Sequence, residues 1–374
     1  MNQLTIFIPG IMGSSLHQRY PHGNVALWSE DARASLGQLI GKPSSLQYQP
    51  LNTVIAHNVL EEVYVGAWRV ILCKLLRDEM RKFVEAKAFD YDEFPYDWRQ
   101  DIFDAARQLG SWLSSKHGFV NDEHNKQQLR TDTQINIITH SMGSLVAALS
   151  LMEGYVEPKN VRRLISVGAP FLGAPASFQA AFTTGYLPFM TWVEKWMNKG
   201  KNKRARRDAI LEALQSFPST FQLMPHQSHP LVKIRGAGWV HPLSGNILST
   251  ATKSSVLQTH ASLQNYEAFL KTNNIKYHFI YGTSPQRYLG SFFSSDNTPN
   301  QFKASYGSAR SGFSSTYTKV KTVSSTVGDG TVPVDSAAIH NTSDSATRTG
   351  IPGVKHAYMC NNAIIVDRIK QLLV

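Results

Sequence analysis

A serine hydroxyl attacks a carbonyl only when a base takes its proton and donors hold the oxyanion that forms. Three residues of this chain, in the order Ser141, Asp329 and His356, have the types and settings for that chemistry. Ser141 lies in Thr139-His140-Ser141-Met142-Gly143, after the apolar Ile135-Asn136-Ile137-Ile138 and before Ser144-Leu145-Val146-Ala147-Ala148-Leu149. A strand, a tight turn and a helix with serine at the apex push Oγ out of a sheet, and the helix N-terminus points partial positive charge at it. Gly143 supplies the small residue that such a turn needs. Thr139 stands where G-x-S-x-G has its first glycine, so the segment departs from that pattern. A plain strand-to-helix turn with an N-capping serine is its other reading.

Asp329 sits between Gly328 and Gly330 in Thr326-Val327-Gly328-Asp329-Gly330-Thr331-Val332-Pro333, a loop that can present a carboxylate without crowding. Asp335 competes with it, but follows the apolar residues 332–334 and reads as the end of a strand. His356 precedes the last helical pattern, where the base that takes the Ser141 proton belongs, with Asp329 holding its tautomer. Among thirteen histidines, His340 is the runner-up base and His140 is expected to pack in the turn. The H-x4-D pattern of His117 and Asp122 is set aside as a chance match. The two oxyanion donors are expected to be the N–H groups of Met142 and of Ile11, the latter in Pro9-Gly10-Ile11-Met12-Gly13-Ser14 after the first strand. Taken alone, Pro-Gly after a strand is a turn signal.

The elements that must position these groups alternate along the chain. Short β-branched and apolar runs at 4–8, 89–94, 135–138, 164–167 and 275–281 read as strands. Helical patterns fall at 65–83, 101–116, 144–154 and 361–373. The alternation predicts a single domain over 1–374 with a mostly parallel central sheet, helices on both faces, and the nucleophile–acid–base order of the α/β-hydrolase fold. Two insertions, 17–51 and 176–256, are assigned to a cap or lid, and 291–326 to a Ser/Thr-rich loop or hairpin. Between Pro188 and Gly200, Phe189, Trp192, Val193, Trp196 and Met197 share one helical face, a lid or pocket wall. Lys199, Lys201, Lys203, Arg204, Arg206 and Arg207 follow within residues 199–207. That combination suits the headgroup boundary of an anionic membrane; a cap helix on the core with a solvated basic loop is the alternative.

Formal net charge is +11, and six of those charges sit in that one stretch. A local sticky site is implied, and the run has no interleaved aromatics, so no nucleic acid is expected as a partner. Cys73 and Cys360 support neither a disulfide framework nor a cysteine zinc site. The chemistry asks for no metal and no cofactor. The N-terminal residues read as a first strand, so neither a secretory signal nor a transmembrane helix is expected. The expectation is a chain cytoplasmic as synthesised and peripheral at membranes, compatible with export by a specialised secretion machine.

In order along the chain, Pro9-Gly10-Ile11-Met12-Gly13-Ser14, Pro95-Tyr96-Asp97-Trp98-Arg99, His140-Ser141-Met142-Gly143, Ala169-Pro170-Phe171-Leu172-Gly173-Ala174-Pro175, Gln222-Leu223-Met224-Pro225 and Gly328-Asp329-Gly330-Thr331-Val332-Pro333 resemble the lecithin:cholesterol acyltransferase family, which includes the lysosomal phospholipase A. The resemblance implies an ester hydrolase or acyltransferase acting on phospholipids, forming an acyl-serine that passes to water or to an alcohol. It also implies that Trp98 and Arg99 line the pocket; a structural Arg–carboxylate pair is the other account of Arg99. Thr139 departs from the family pattern, and the cysteines of the secreted relatives have no counterparts. Two rival readings are a neutral-lipid lipase or carboxylesterase and a catalytically silent membrane-binding protein.

Overall fold

Six strands pair in parallel: β1 (Gln3–Ile8), β2 (Asp90–Glu93), β3 (Gln134–His140), β4 (Val161–Val167), β5 (Lys276–Gly282) and β6 (Arg348–Ile351). Their spatial order is β6-β5-β4-β3-β1-β2. The computed structural model describes residues 3–31, 42–49, 54–65, 68–87, 89–118, 134–182, 203–226, 232–234, 238–240, 243, 248–287, 292–294, 325–339 and 343–374.

The four inner strands β1, β3, β4 and β5 are rich in apolar residues on both sides because both sheet faces are covered there. Successive side chains point to opposite faces. Leu4, Ile6, Ile8, Ile135, Ile137, Leu164 and Phe279 therefore join one core with helices α2 (Ile102–His117) and α3 (Gly143–Met152). Phe7, Ile138, Ile165, Val167 and Ile280 join the other with α1 (Lys74–Ala86) and the C-terminal α5 (Ala363–Leu373). Helix α4 (Thr250–Leu263) contributes Leu263 to the first core. This is an α/β-hydrolase architecture, a parallel sheet with helices on both faces.

The edge strand β2 carries Asp90, Asp92 and Glu93, charges that discourage edge-to-edge pairing. Glu93 takes a two-pronged bond from the buried Arg77 of α1, at 2.7 and 2.6 Å. Burial works against ionisation of Asp92, but bonds from His117 and Lys116 outweigh it and bring the carboxyl down to about 2. His117 thus belongs to a surface ion cluster, 2.8 Å from Asp92; Asp122 lies outside the described residues.

The expected helix over 65–83 is a finding to correct. Glu62–Val65 and Trp68–Ile71 form an antiparallel hairpin, and the helix starts only at Lys74. Val, Tyr, Trp and Ile on either side of Gly66-Ala67 favour strand, and in so short a run the two periodicities are hard to separate. Asp335, expected at a strand end, lies instead in the first turn of a short helix, Val334–Ala337.

Within 17–51 the chain forms most of a three-stranded antiparallel sheet, Ser14–Tyr20, Gly23–Trp28 and Val54–Val59. Within 176–256 it forms helices Pro175–Phe182, Lys203–Gln215 and Pro218–Gln222. Phe189, Trp192, Val193, Trp196, Met197, Lys199 and Lys201 lie outside the described residues. So does most of 291–326, apart from Phe292–Ser294 and the strand Ser325–Gly328, which pairs with Ser284–Arg287. No helix among the described residues is long and apolar enough to cross a membrane.

Candidate active site

Strand β3 ends at the centre of the sheet, and the chain turns sharply there. Ser141 adopts φ +53°, a left-handed conformation that a residue with a Cβ rarely holds. Its N–H donates to the Val167 carbonyl at the end of β4, and its carbonyl accepts from Ser144 as α3 begins, both at 2.9 Å. A Cβ on residue 143 would lie 2.5 Å from the carbonyl oxygens of Ile8 and Pro9. Only glycine lets the helix start so close to the end of β1.

Thr139 has a physical account. Its side chain is fully buried, with Oγ1 2.7 Å from Ser144 Oγ and 3.1 Å from Ser166 Oγ. A buried hydroxyl is tolerated when partnered, and Ser144 and Ser166 provide the partners that replace the usual glycine.

The structure brings Ser141, His356 and Asp329 together from three chain regions. His356 Nε2 lies 2.8 Å from Ser141 Oγ, and His356 Nδ1 lies 2.7 Å from Asp329 Oδ2. A carboxylate oxygen only accepts, so Nδ1 carries the proton and Nε2 is left with a lone pair facing the serine hydroxyl. Asp329 is 2% exposed. Its other oxygen accepts the N–H groups of Thr331 at 2.9 Å and Val332 at 2.7 Å. The backbone couples these two residues as well, since the His356 N–H donates to the Asp329 carbonyl at 2.8 Å. Gly168, with φ +61°, closes the far side of the imidazole. A Cβ there would meet His356 Cε1 and Nδ1 at 3.1 Å and Met359 Sδ at 2.8 Å.

His140 packs beside this group, its ring 5.0 Å from that of His356. Nε2 donates to the His356 carbonyl at 3.2 Å. Burial, reinforced by the neighbouring His356, pulls His140 down to about 3, so it stays neutral and holds His356 by its backbone. His340 lies outside the described residues.

Neither the Met142 N–H nor the Ile11 N–H meets an acceptor among the described residues. Met142 caps α3 directly after the serine. Ile11 is 37% exposed on a loop whose Gly10 abuts the turn, since a Cβ at 10 would lie 2.8 Å from Ser141 Cβ. Trp98 and Arg99, expected at the pocket, are found in the scaffold instead. Trp98 is 1% exposed, donates to the Ser14 carbonyl and stacks edge-on against Trp28 and Phe217. Arg99 is fully buried, bound through Nε and Nη2 to Asp97 and through Nη1 to the Leu46 carbonyl. That is the structural ion pair, and it ties the start of α2 to the segment around Leu46.

Ser166 and Gly168 are not singled out by the sequence. The one available signal was position: Ser166 and Gly168 stand at the C-terminal end of a parallel strand, where sites of open α/β sheets collect. Among the described residues no group of three or more His, Cys, Asp or Glu side chains could hold a metal. Both cysteines are buried, and burial pushes the Cys73 thiol up to about 12.

An elbow serine facing a histidine–carboxylate pair on a parallel sheet defines the class, an α/β-hydrolase fold. The profile of the family described as "Lecithin:cholesterol acyltransferase" matches residues 91–279, half of the chain, and the chain belongs to that family. It is 24% identical over 284 residues to "Lecithin-cholesterol acyltransferase-like 4" of Arabidopsis thaliana, an alignment covering 65% of this chain and 49% of the relative. The chain thus spans about half the length of the curated relative it matches. A chain of the Tle4–Tli4 complex overlays on it with a TM-score of 0.57 at 14% identity, over 99% of each chain, a likeness of fold.

Proposed function

We propose that this protein is a serine-dependent lipid ester hydrolase of phospholipase A type, working through an acyl-Ser141 intermediate. The observation that carries the reading is His356 set between Ser141 Oγ and Asp329, at 2.8 and 2.7 Å, with the serine raised on a left-handed turn. His356 takes the Oγ proton as the serine attacks the ester carbonyl. Asp329 keeps the imidazole in the right tautomer and stabilises the imidazolium. The N–H groups of Ile11 and Met142 receive the oxyanion. His356 then protonates the leaving alcohol, and water or an acceptor alcohol releases the acyl group by the reverse sequence, which makes O-acyl transfer a second outlet.

Family membership supports lipid over other esters. The insertions act as cap and lid, and the aromatic residues within 189–197 with the basic run at 199–207 dock on an anionic lipid surface. The protein thus works from the water side of the membrane.

The test is intact-protein mass spectrometry after treatment with a fluorophosphonate, beside Ser141→Ala, with and without anionic phospholipid vesicles. The expected result is one adduct, lost in the variant and formed faster with vesicles. An adduct with release of fatty acid from tributyrin but not from phospholipid would move the assignment to a neutral-lipid lipase or carboxylesterase. No adduct under any condition would leave a membrane-binding protein without activity.

A further inference from the structure

The two oxyanion donors are held by unlike means. Met142 is fixed as the cap of α3, whereas Ile11 sits on a loop whose own backbone is strained. Gly10-Ile11-Met12-Gly13 is a turn closed by the Gly13 N–H on the Gly10 carbonyl at 3.0 Å, with Met12 at φ +62°. A left-handed third residue marks a type II turn, which ordinarily places glycine there. Methionine at that corner needs external support.

Support comes from buried donors on three sides. The Trp28 indole N–H donates to the Met12 carbonyl at 3.0 Å, and the Tyr96 hydroxyl to the Pro9 carbonyl at 2.9 Å. The Leu60 N–H donates to the Gly13 carbonyl at 2.8 Å. Trp28 and Tyr96 are each 1% exposed.

We propose that Trp28 is a positioning residue for the oxyanion hole, setting the direction of the Ile11 N–H through two peptide planes in series; this rests on the hydrolase reading above. The Met12 carbonyl and the Gly13 N–H share one rigid plane, so the Trp28 bond fixes both. That N–H grips the Gly10 carbonyl, which shares its plane with the Ile11 N–H. In a trans peptide the two groups point in opposite directions, so the Ile11 N–H leaves the turn away from Gly13. Hydrogen bonds in series also polarise one another, which strengthens the final donor. Without the indole bond, Met12 keeps a strained φ and an unpaired buried carbonyl. The Met12–Gly13 peptide then rotates, the Gly13 N–H loosens its hold on the Gly10 carbonyl, and the Gly10–Ile11 peptide turns its N–H off the target.

The test is Trp28→Phe, which removes the N–H and keeps a ring against Trp98, 5.7 Å away and edge-on. Activity on p-nitrophenyl butyrate is measured per active site titrated with fluorophosphonate, together with inhibition by an alkylboronic acid, whose tetrahedral adduct fills the oxyanion position. The expected result is a fall in kcat of about 10- to 100-fold with KM little changed, and boronate affinity weaker by the same factor. Adding Met12→Gly, which holds the left-handed corner without strain, restores part of both. Replacing Trp28 by benzothienylalanine, with sulfur for the N–H in the same ring outline, gives the same loss where phenylalanine disturbs folding. Unchanged kcat and boronate affinity per titrated site in either variant overturns the positioning role while the hydrolase reading stands. A wild-type protein that neither turns over the ester nor takes the boronate overturns the hydrolase reading itself.

Discussion

Replacing Asp329 by Asn tests the proposed mechanism at the group whose surroundings dictate the outcome most tightly. Asp329 Oδ1 accepts two backbone N–H groups, from Thr331 and Val332, at 2.9 and 2.7 Å. An Asn side chain must keep its oxygen there. The flipped amide would set its NH2 against both donors and leave them unsatisfied, at about 1–3 kcal/mol each, a bias of roughly 30-fold or more. Its NH2 therefore faces His356 Nδ1, which must become an acceptor, and the imidazole proton moves to Nε2. A donor then meets Ser141 Oγ across the 2.8 Å where a lone pair is needed. The expected loss in kcat is on the order of 10⁴, about 5.5 kcal/mol of transition-state stabilisation. The assay is steady-state hydrolysis of a water-soluble p-nitrophenyl ester, with circular dichroism to establish that the variant is folded. A folded Asp329→Asn enzyme losing less than about tenfold would refute the tautomer argument, because it is too small for a wrong-tautomer base.

Two further perturbations probe the scaffold. Gly143→Ala puts a methyl group 2.5 Å from two backbone carbonyl oxygens, which cannot swing aside as a side chain would; urea denaturation is expected to report about 1–3 kcal/mol of destabilisation, and an unchanged midpoint would mean that α3 moves freely. For pH, burial first, then the charges of Arg368 and Arg348, partly offset by a bond with the Ala346 backbone and by Asp344, push His278 from the usual 6.5 down to about 4. The unfolded chain therefore binds a proton that the folded chain refuses between about pH 6.5 and 4, so stability is full above that window and falls by about 1.4 kcal/mol per pH unit on descending through it. Chemical denaturation across that range should lose this component in His278→Gln, and an identical slope in the variant would assign the acid sensitivity elsewhere.

The sequence was most legible where one chemical role forces a local geometry. Ser141 and Asp329 each directly follow a strand end, His356 precedes the last helix, and four of the strands that carry the site are mostly apolar runs. Tertiary hydrogen bonding was not legible. Nothing in Thr139 announces that Ser144 lies five residues on and Ser166 one strand away to satisfy its hydroxyl. Trp98 and Arg99 belong to a family motif that implies a pocket, with an Arg–carboxylate pair as the other account of Arg99; Arg99 does pair with Asp97, but the bonds to Ser14 and Leu46 come from distant segments. The hairpin from Glu62 to Ile71 was missed because a short run of β-branched and aromatic residues satisfies helix and strand periods alike. Strand β6 was not foreseen either, since Arg348-Thr349-Gly350-Ile351 carries little apolar pattern and owes its place to pairing with β5.

The strain in the backbone links these observations. Four non-glycine residues among those described have positive φ, and two of them, Met12 and Ser141, belong to turns that meet at Gly10. Each such residue costs roughly 1–3 kcal/mol and persists only where the surroundings over-determine it. Ser141 is pinned by its bonds to Val167 and Ser144 and by the close approach of Gly10. Met12 is pinned by Trp28 and by the turn bond between Gly13 and Gly10. The two restraints meet at Gly10, which belongs to the turn and also abuts the serine. Loosening either one is then felt at the other. A substitution such as Gly10→Ala, with its methyl 2.8 Å from Ser141 Cβ, would displace the proposed nucleophile and the proposed oxyanion donor together, which ties residues 9–14, 139–143 and Trp28 into one strained unit, with Asp329 and His356 brought to it from the far end of the chain.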